Sequence, residues 1–207
     1  MPDKLKQVLE KITGEKAPGP SATFSLFHML EAIELIAKKT VGRGKLAEEL
    51  KVGEGAVRTI INRLKNAGLI KTSRAGCVFT KKGFKIWDEY KSTFRKKVEI
   101  GKNELTFADF NFAILVKNCG HKVKSGMEQR DAAIIMGAKS ATTMIFERGR
   151  LIIPSVTDDA RKDFPRASTQ IISLLKPEDN DVVIVVSADS LDKAKYGSLA
   201  AAWALFE

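Results

Sequence analysis

Apolar and polar positions along this chain of 207 residues follow two successive rhythms. Over roughly the first hundred residues the spacing is helical. Leu5, Val8, Leu9 and Ile12 share one stripe of a helix over 3–12. "GEKAPGPS", 14–21, interrupts it with Pro and Gly and reads as a linker. Residues 23–38 form a second helix whose polar positions, Ser25, His28, Glu31, Glu34 and Lys38, make only a narrow strip. Such a helix is covered on more than one side, by its own domain, a second domain or a dimer partner. A short helix over 42–52 turns Leu46, Ala47 and Leu50 inward, and "GEG", 53–55, is a tight turn. The next helix runs to Ala67 and stops at Gly68. "LIKTSRAGCVFT", 69–80, is a hairpin with a glycine turn, and 83–98 a helix with Phe84, Trp87, Phe94 and Val98 on one side.

From about residue 105 the rhythm changes. Residues 110–118 read as a buried strand, 125–138 as a helix, and 142–154 as a hairpin turning at Arg148–Gly149. A helix over 165–176, a strand over 181–187 and a helix over 189–206 complete the chain. This βαββαβ series with a final helix predicts a ferredoxin-like order, although the irregular stretch 155–165 leaves room for another topology. The predicted class is α+β: an N-terminal helix and linker (1–21), a winged helix-turn-helix domain (22–100) and a small α/β domain (105–207) that binds an effector or drives assembly.

The order helix, helix, turn, helix, hairpin, helix resembles the winged helix-turn-helix of bacterial and archaeal transcription regulators, the MarR-like group included. "KLAEELKVGEGAVRTIINRLKNAGLIKTSRAGCVFTKKG" carries that resemblance. In architecture the chain resembles Lrp-like regulators, in which a helix-turn-helix precedes a βαββαβ effector domain that also drives oligomerisation. It departs from them in its extra N-terminal segment, its basic helix 83–98 and its final helix. "GMEQRDAAIIMGA" and "DVVIVVSADS" with "KAKYGSLAAA" are similar to an archaeal family of winged-helix proteins whose C-terminal domain has no assigned function. The resemblance implies a regulator of transcription and names no ligand.

Charge sharpens this picture. Residues 1–100 hold 21 Lys/Arg and 11 Asp/Glu, while residues 101–207 hold 14 of each, so the whole excess of +10 lies in one half. A domain facing a polyanion explains that segregation. In the helix 55–67, Val57, Ile60, Ile61, Leu64 and Ala67 share the core face at about 100° per residue. The opposite face carries Gly55, Arg58, Thr59, Asn62 and Asn66, flanked by Arg63 and Lys65, with Glu54 only at its edge. Arg and Asn make paired hydrogen bonds to base edges in a major groove, and Thr and Lys suit phosphates. The wing tip, Thr72, Ser73, Arg74 and Gly76, suits phosphate or minor-groove contact, and Lys45 suits clamping of the backbone. Lys81, Lys82 and Lys85 offer further phosphate contacts. The same residues also suit a solvated helix face and an ordinary hairpin; the charge asymmetry and the wing favour duplex DNA, bound as a homodimer.

The second half offers three weaker constellations. Lys124, Ser125 and Gly126 sit with Lys117, His121 and Lys122 at a helix start, the makings of an anion site or of an exposed basic loop. Arg130 and Asp131 are expected to be partly buried, either paired structurally or meeting an anionic effector. Asp189 or Ser190 caps the last helix, at a strand end where ligands often lie. Gly197 and Ala201 suit close packing. No paired carboxylates, dinucleotide fingerprint or metal-ligand spacing is present, so the expectation is a binding protein without cofactor or catalytic residues. The rivals are an enzyme with a fused winged helix and a winged helix used for protein contact. Cys77 and Cys119 read as reduced thiols of a cytoplasmic protein, and no apolar run nears the roughly 20 residues of a membrane span.

Overall fold

The computed structural model describes residues 3–14 and 24–207, with side chains from Leu5 onward; most of the predicted linker lies outside the described residues. The chain divides into two compact units, Met1–Lys91 and Ser92–Glu207.

The first unit contains α1 (Asp3–Gly14), α2 (Leu26–Lys38), α3 (Arg43–Leu50), α4 (Glu54–Asn66), β1 (Ile70–Ser73), β2 (Gly76–Phe79) and most of α5 (Lys81–Thr93). It is a winged helix-turn-helix. α2 starts at a reciprocal cap: Ser25 Oγ accepts from the Phe27 N–H at 3.2 Å, and His28 Nδ1 accepts from the Ser25 N–H at 3.0 Å. Burial holds the His28 pKa below its usual value against the opposing pull of Glu31, which keeps the ring in the neutral form able to accept. Met29, Leu30, Ala32, Ile33 and Ile36 of α2 are all buried in the single chain, so the wide apolar arc is covered without a partner copy.

α4 buries Val57, Ile60 and Leu64, and the turn through Gly68 ends it. The hairpin follows with Ile70 opposite Phe79 and Ser73 opposite Gly76, and Val41 bridges to Cys77 as a one-residue third strand. Two glycines make this junction possible. Gly76 has φ +129°, and a Cβ there would lie 2.6 Å from Val41 O. A Cβ on Gly83 would lie 2.1 Å from Leu69 O, so α5 rests directly on the backbone before β1. The packed side of α5 is Ile86 and Tyr90; the predicted Phe84 is 55% exposed, edge-on to Phe79.

The predicted helix 83–98 is two elements. After Thr93 the chain becomes β3 (Phe94–Glu99), which pairs antiparallel with β4 (Phe110–Val116) from Phe94 opposite Val116 to Glu99 opposite Phe112. β4 is buried from Asn111 to Val116, and its backbone groups on that side would lack partners without β3. This demand outweighs the helical spacing of Phe94 and Val98, and moves residues 92–100 out of the predicted DNA-binding domain into the second unit.

The rest of the second unit is α6 (Met127–Ile135), β5 (Ser140–Glu147), β6 (Arg150–Ile152), α7 (Ala160–Asp163), α8 (Pro165–Leu175), β7 (Asp181–Ala188) and α9 (Leu191–Trp203). The irregular stretch before α8 holds a bridge between Ile153 and Thr157, and Asp159 caps α7. The β5–β6 turn has positive φ at both Arg148 and Gly149, as a type I′ hairpin requires. The sheet is antiparallel in the order β3-β4-β7-β5-β6. The ferredoxin-like prediction is therefore corrected: the last strand lies between the first and second of the βαββαβ series, whereas the ferredoxin-like order puts it at an edge. Every residue of β7 is buried, and an element apolar on both faces belongs at the centre of a covered sheet. Ala113, Leu115, Val183 and Val185 meet Ala167, Ile171 and Leu175 of α8 on one face. On the other, Gly197 lets α9 close on the sheet, where a Cβ would lie 3.2 Å from both Val186 Cγ1 and Ala138 Cβ.

Gly83→Ala should lower the stability of the first unit by about 1–3 kcal/mol, the usual range for overpacking, read from the denaturant midpoint. Gly55→Ala, in open space on a helix surface, should leave it unchanged or raise it.

Candidate nucleic-acid interface and second-unit clefts

The solvent face of α4 carries Gly55, Arg58, Asn62, Lys65 and Asn66, all exposed, with Thr59 half-buried and its hydroxyl donating to Gly55 O at 3.1 Å. Among the described residues, Arg58 and Asn62 make no side-chain hydrogen bond or ion pair within the protein. Their donors are available to a partner. Glu54, at the edge of this face, is drawn toward Arg43 at 3.6 Å. Lys45 is exposed but held by Glu48 at 3.0 Å and Glu49 at 3.1 Å of its own helix; their hydrogen bonds raise its pKa. On the wing, Thr72 and Arg74 are exposed, and Ser73 Oγ accepts from the Ala75 N–H at 3.2 Å. Lys81 and Lys85 are exposed too, while Lys82 Nζ donates to Ala67 O at 2.8 Å and closes the end of α4.

Two predicted DNA contacts are corrected. Arg63 is 8% exposed. Its Nη1 donates to Ile12 O at 3.0 Å and Thr13 O at 3.1 Å, and its guanidinium lies 5.3 Å from the centroid of Phe24. It satisfies the open carbonyls at the end of α1, where a cation also suits the helix dipole. Gly76 is buried under Val41 and serves the fold of the wing, not a ligand. The basic run after Thr93 is also spent inside the second unit: Arg95 pairs with Glu178 at 2.8 Å, and Lys96 Nζ donates to Leu174 O. With the boundary at 91/92, the first unit still holds 18 Lys/Arg and 10 Asp/Glu against 17 and 15 in the second.

The second-unit candidates separate into different places. Lys124 and Asp131 line a cleft with His121, Lys122, Glu128 and Gln129. Ser125 and Gly126 form the entry to α6, where Ser125 Oγ accepts from the Met127 N–H at 3.3 Å and Gly126 takes φ +80°. Arg130 and Asp131 are not partly buried as predicted: both are exposed and pair with each other at 2.9 Å, because α6 turns that side to solvent. Asp189 lines a separate cleft with Lys102, Phe107, Asp109 and Lys139, and pairs with Lys139 at 3.2 Å. The cap of α9 is Ser190, which accepts from the Lys193 N–H at 3.4 Å. Sequence reasoning missed Gln129. It is 2% exposed, one position before Arg130 and four before the buried Ala133. A polar residue on the apolar stripe of α6 was the available signal.

The PH0730-like, N-terminal domain family matches residues 29–85. A family described as a domain of unknown function (DUF4443) matches residues 107–205. Among solved structures, hypothetical protein PH0730 from Pyrococcus horikoshii OT3 is 28% identical with a TM-score of 0.69, covering 88% of this chain and 92% of that one. Wild-type ZitR of Lactococcus lactis is 25% identical over 42% of this chain and 69% of its own, with a TM-score of 0.30. No curated protein matches. Among the described residues, no helix is long and apolar enough to cross a membrane.

Arg63→Ala should destabilise the first unit by roughly 1.5–3 kcal/mol, the range for hydrogen bonds to a charged group, whereas Arg58→Ala should stay within about 0.5 kcal/mol of the parent, as surface changes do. Urea unfolding followed by far-UV circular dichroism measures both.

Proposed function

We propose that this chain is a DNA-binding transcription regulator of the winged-helix type, in the manner of MarR- and Lrp-like regulators. It acts by binding and not by turnover, as a homodimer in the cytoplasm, with a second unit that senses a small effector or mediates assembly. The observation that carries the reading is the solvent face of α4. Arg58 and Asn62 stand exposed and unengaged on the helix that follows the turn, beside a wing tipped by Arg74. Arg58 and Asn62 suit base edges of the major groove; Lys65 and Arg74 suit the flanking phosphates. The one acid at the edge of the face, Glu54, is drawn toward Arg43. The separate family matches of residues 29–85 and 107–205 support a chain of two parts. Regulation follows if the effector has different affinities for the DNA-competent and incompetent states.

Fluorescence anisotropy on a random-sequence duplex tests the reading. With Lys45, Lys65 and Arg74 each meeting one phosphate, the slope of log K against log salt should be about −5 for a dimer and half that for a monomer. Replacing Lys65 and Arg74 by Ala should make the slope shallower by about two per protomer. A flat salt dependence, or one that both replacements leave unchanged, overturns the DNA reading.

A further inference from the structure

The large apolar residues of α6 are on the wrong side for a helix packed on a sheet, which normally turns them to the core. α6 has three, Met127, Ile134 and Ile135, and they are 47%, 43% and 83% exposed. Its buried positions are Gln129 and Ala133. At about 100° per residue, Met127 and Ile134 share one stripe, two turns apart, with Arg130 and Asp131 flanking its middle. Arg130 and Asp131 are exposed as well, and an ion pair between exposed groups is worth little to stability. Both guanidinium bonds go to Asp131 Oδ1, from Nε at 3.1 Å and Nη2 at 2.9 Å. Among the described residues, Arg130 Nη1 and Asp131 Oδ2 make no hydrogen bond.

This stripe is symmetric about its own centre. The midpoint between Met127 and Ile134 is also the midpoint between Arg130 and Asp131. A second copy turned about a twofold axis through that point brings an antiparallel α6 with Met127 against the partner's Ile134 and Arg130 against the partner's Asp131, each twice over. Apolar meets apolar and cation meets anion, as a contact between identical surfaces requires. The neighbouring register, with Met127 against the partner's Ile135, sets Asp131 against the partner's Asp131, and like charge disfavours it. The stripe is neutral and complementary to itself, which suits neither a polyanion nor a polycation. We propose that α6 is a homodimer interface in which two copies pair antiparallel about the step from Arg130 to Asp131. One helix of nine residues makes a small contact, so the dissociation constant should be on the order of micromolar. The inference rests on the reading of the chain as a homodimer, to which it adds the surface, and is independent of DNA binding.

Sedimentation equilibrium of the full chain over about 1–200 μM, a range that brackets such a constant, decides it. The parent should dimerise. Ile134→Glu should weaken the dimer about tenfold or more, because the contact would bury an unpaired carboxylate. Arg130→Asp and Asp131→Arg should each weaken it by about as much, since each sets like charges face to face. Mixed together, these two variants should associate, and the double variant Arg130→Asp/Asp131→Arg should return to within about threefold of the parent. A merely local role of the pair predicts no recovery on mixing. The charge variants carry the test if Ile134→Glu does not keep the parent's far-UV circular dichroism. A dimer that Ile134→Glu leaves intact, or charge variants that do not recover on mixing, overturns the interface alone: the copies then meet elsewhere, and the stripe is left to a partner of another kind. A parent that stays monomeric at the top of the range overturns both the interface and the homodimer reading. Duplex binding with the salt slope of a monomer would still leave the DNA reading standing, so either can fail without the other.

Discussion

A strand with no exposed residue can lie only where hydrogen bonds flank both its edges and side chains cover both its faces. β7 imposes that condition on the whole second unit. It draws β4 to one side and β5 to the other, and leaves β3 and β6 outermost. It also requires two helical layers, α8 against one face and α6 with α9 against the other. Even its first residue is accommodated: the buried Asp181 carboxylate accepts from Lys117 Nζ at 3.1 Å and from the N–H groups of Asn118 at 3.0 Å and Glu178 at 2.8 Å. The same pairing sets Thr143 opposite Ile184 on the α6 side of the sheet. The position of the α6 cleft thus descends from the burial of a strand that does not line it.

In the first unit the sequence was read well wherever local spacing decided the outcome. The α2, α3 and α4 stripes, the glycine after α4 and the hairpin all follow from apolar periods and turn residues close together in the chain. The errors arise where a distant partner decides. Phe94 and Val98 fit a helix by spacing, but β4, more than ten residues on, needs a neighbour and recruits them. The unbroken apolar run of β7 carried the information that it is central, yet element order alone suggested a familiar arrangement with that strand at an edge. Arg63 was indistinguishable from Arg58 by residue type; only the carbonyl ends of α1, some fifty positions earlier, separate them. Gln129 was overshadowed by the charged pair beside it.

The fate of Arg63 also clarifies the proposed interface with DNA. To enter a groove as proposed, α4 needs a rigid back as well as a polar front. Arg63 supplies part of that back by joining α4 to α1 and to the ring of Phe24. Lys82 secures the far end of α4 through Ala67 O. Two basic side chains that a charge count assigns to a polyanion are therefore occupied with the protein's own carbonyls. The face that remains is smaller and more sharply defined, and Arg58 and Asn62 dominate it.

The two margins of the five-stranded sheet differ in kind. β3 presents Arg95, Lys96 and Lys97 in succession, and β6 has only three residues before the chain reaches Ile153 and Pro154. An incoming strand meets long basic side chains, two of them already held by Glu178 and Leu174 O, on one margin and too short a ladder on the other; basic edge residues and short edge strands are both recognised defences against edge-to-edge aggregation. The unit is thereby guarded against sheet extension between copies, the route by which β-rich domains most readily polymerise. The dimer proposed above would have to form through side-chain surfaces instead.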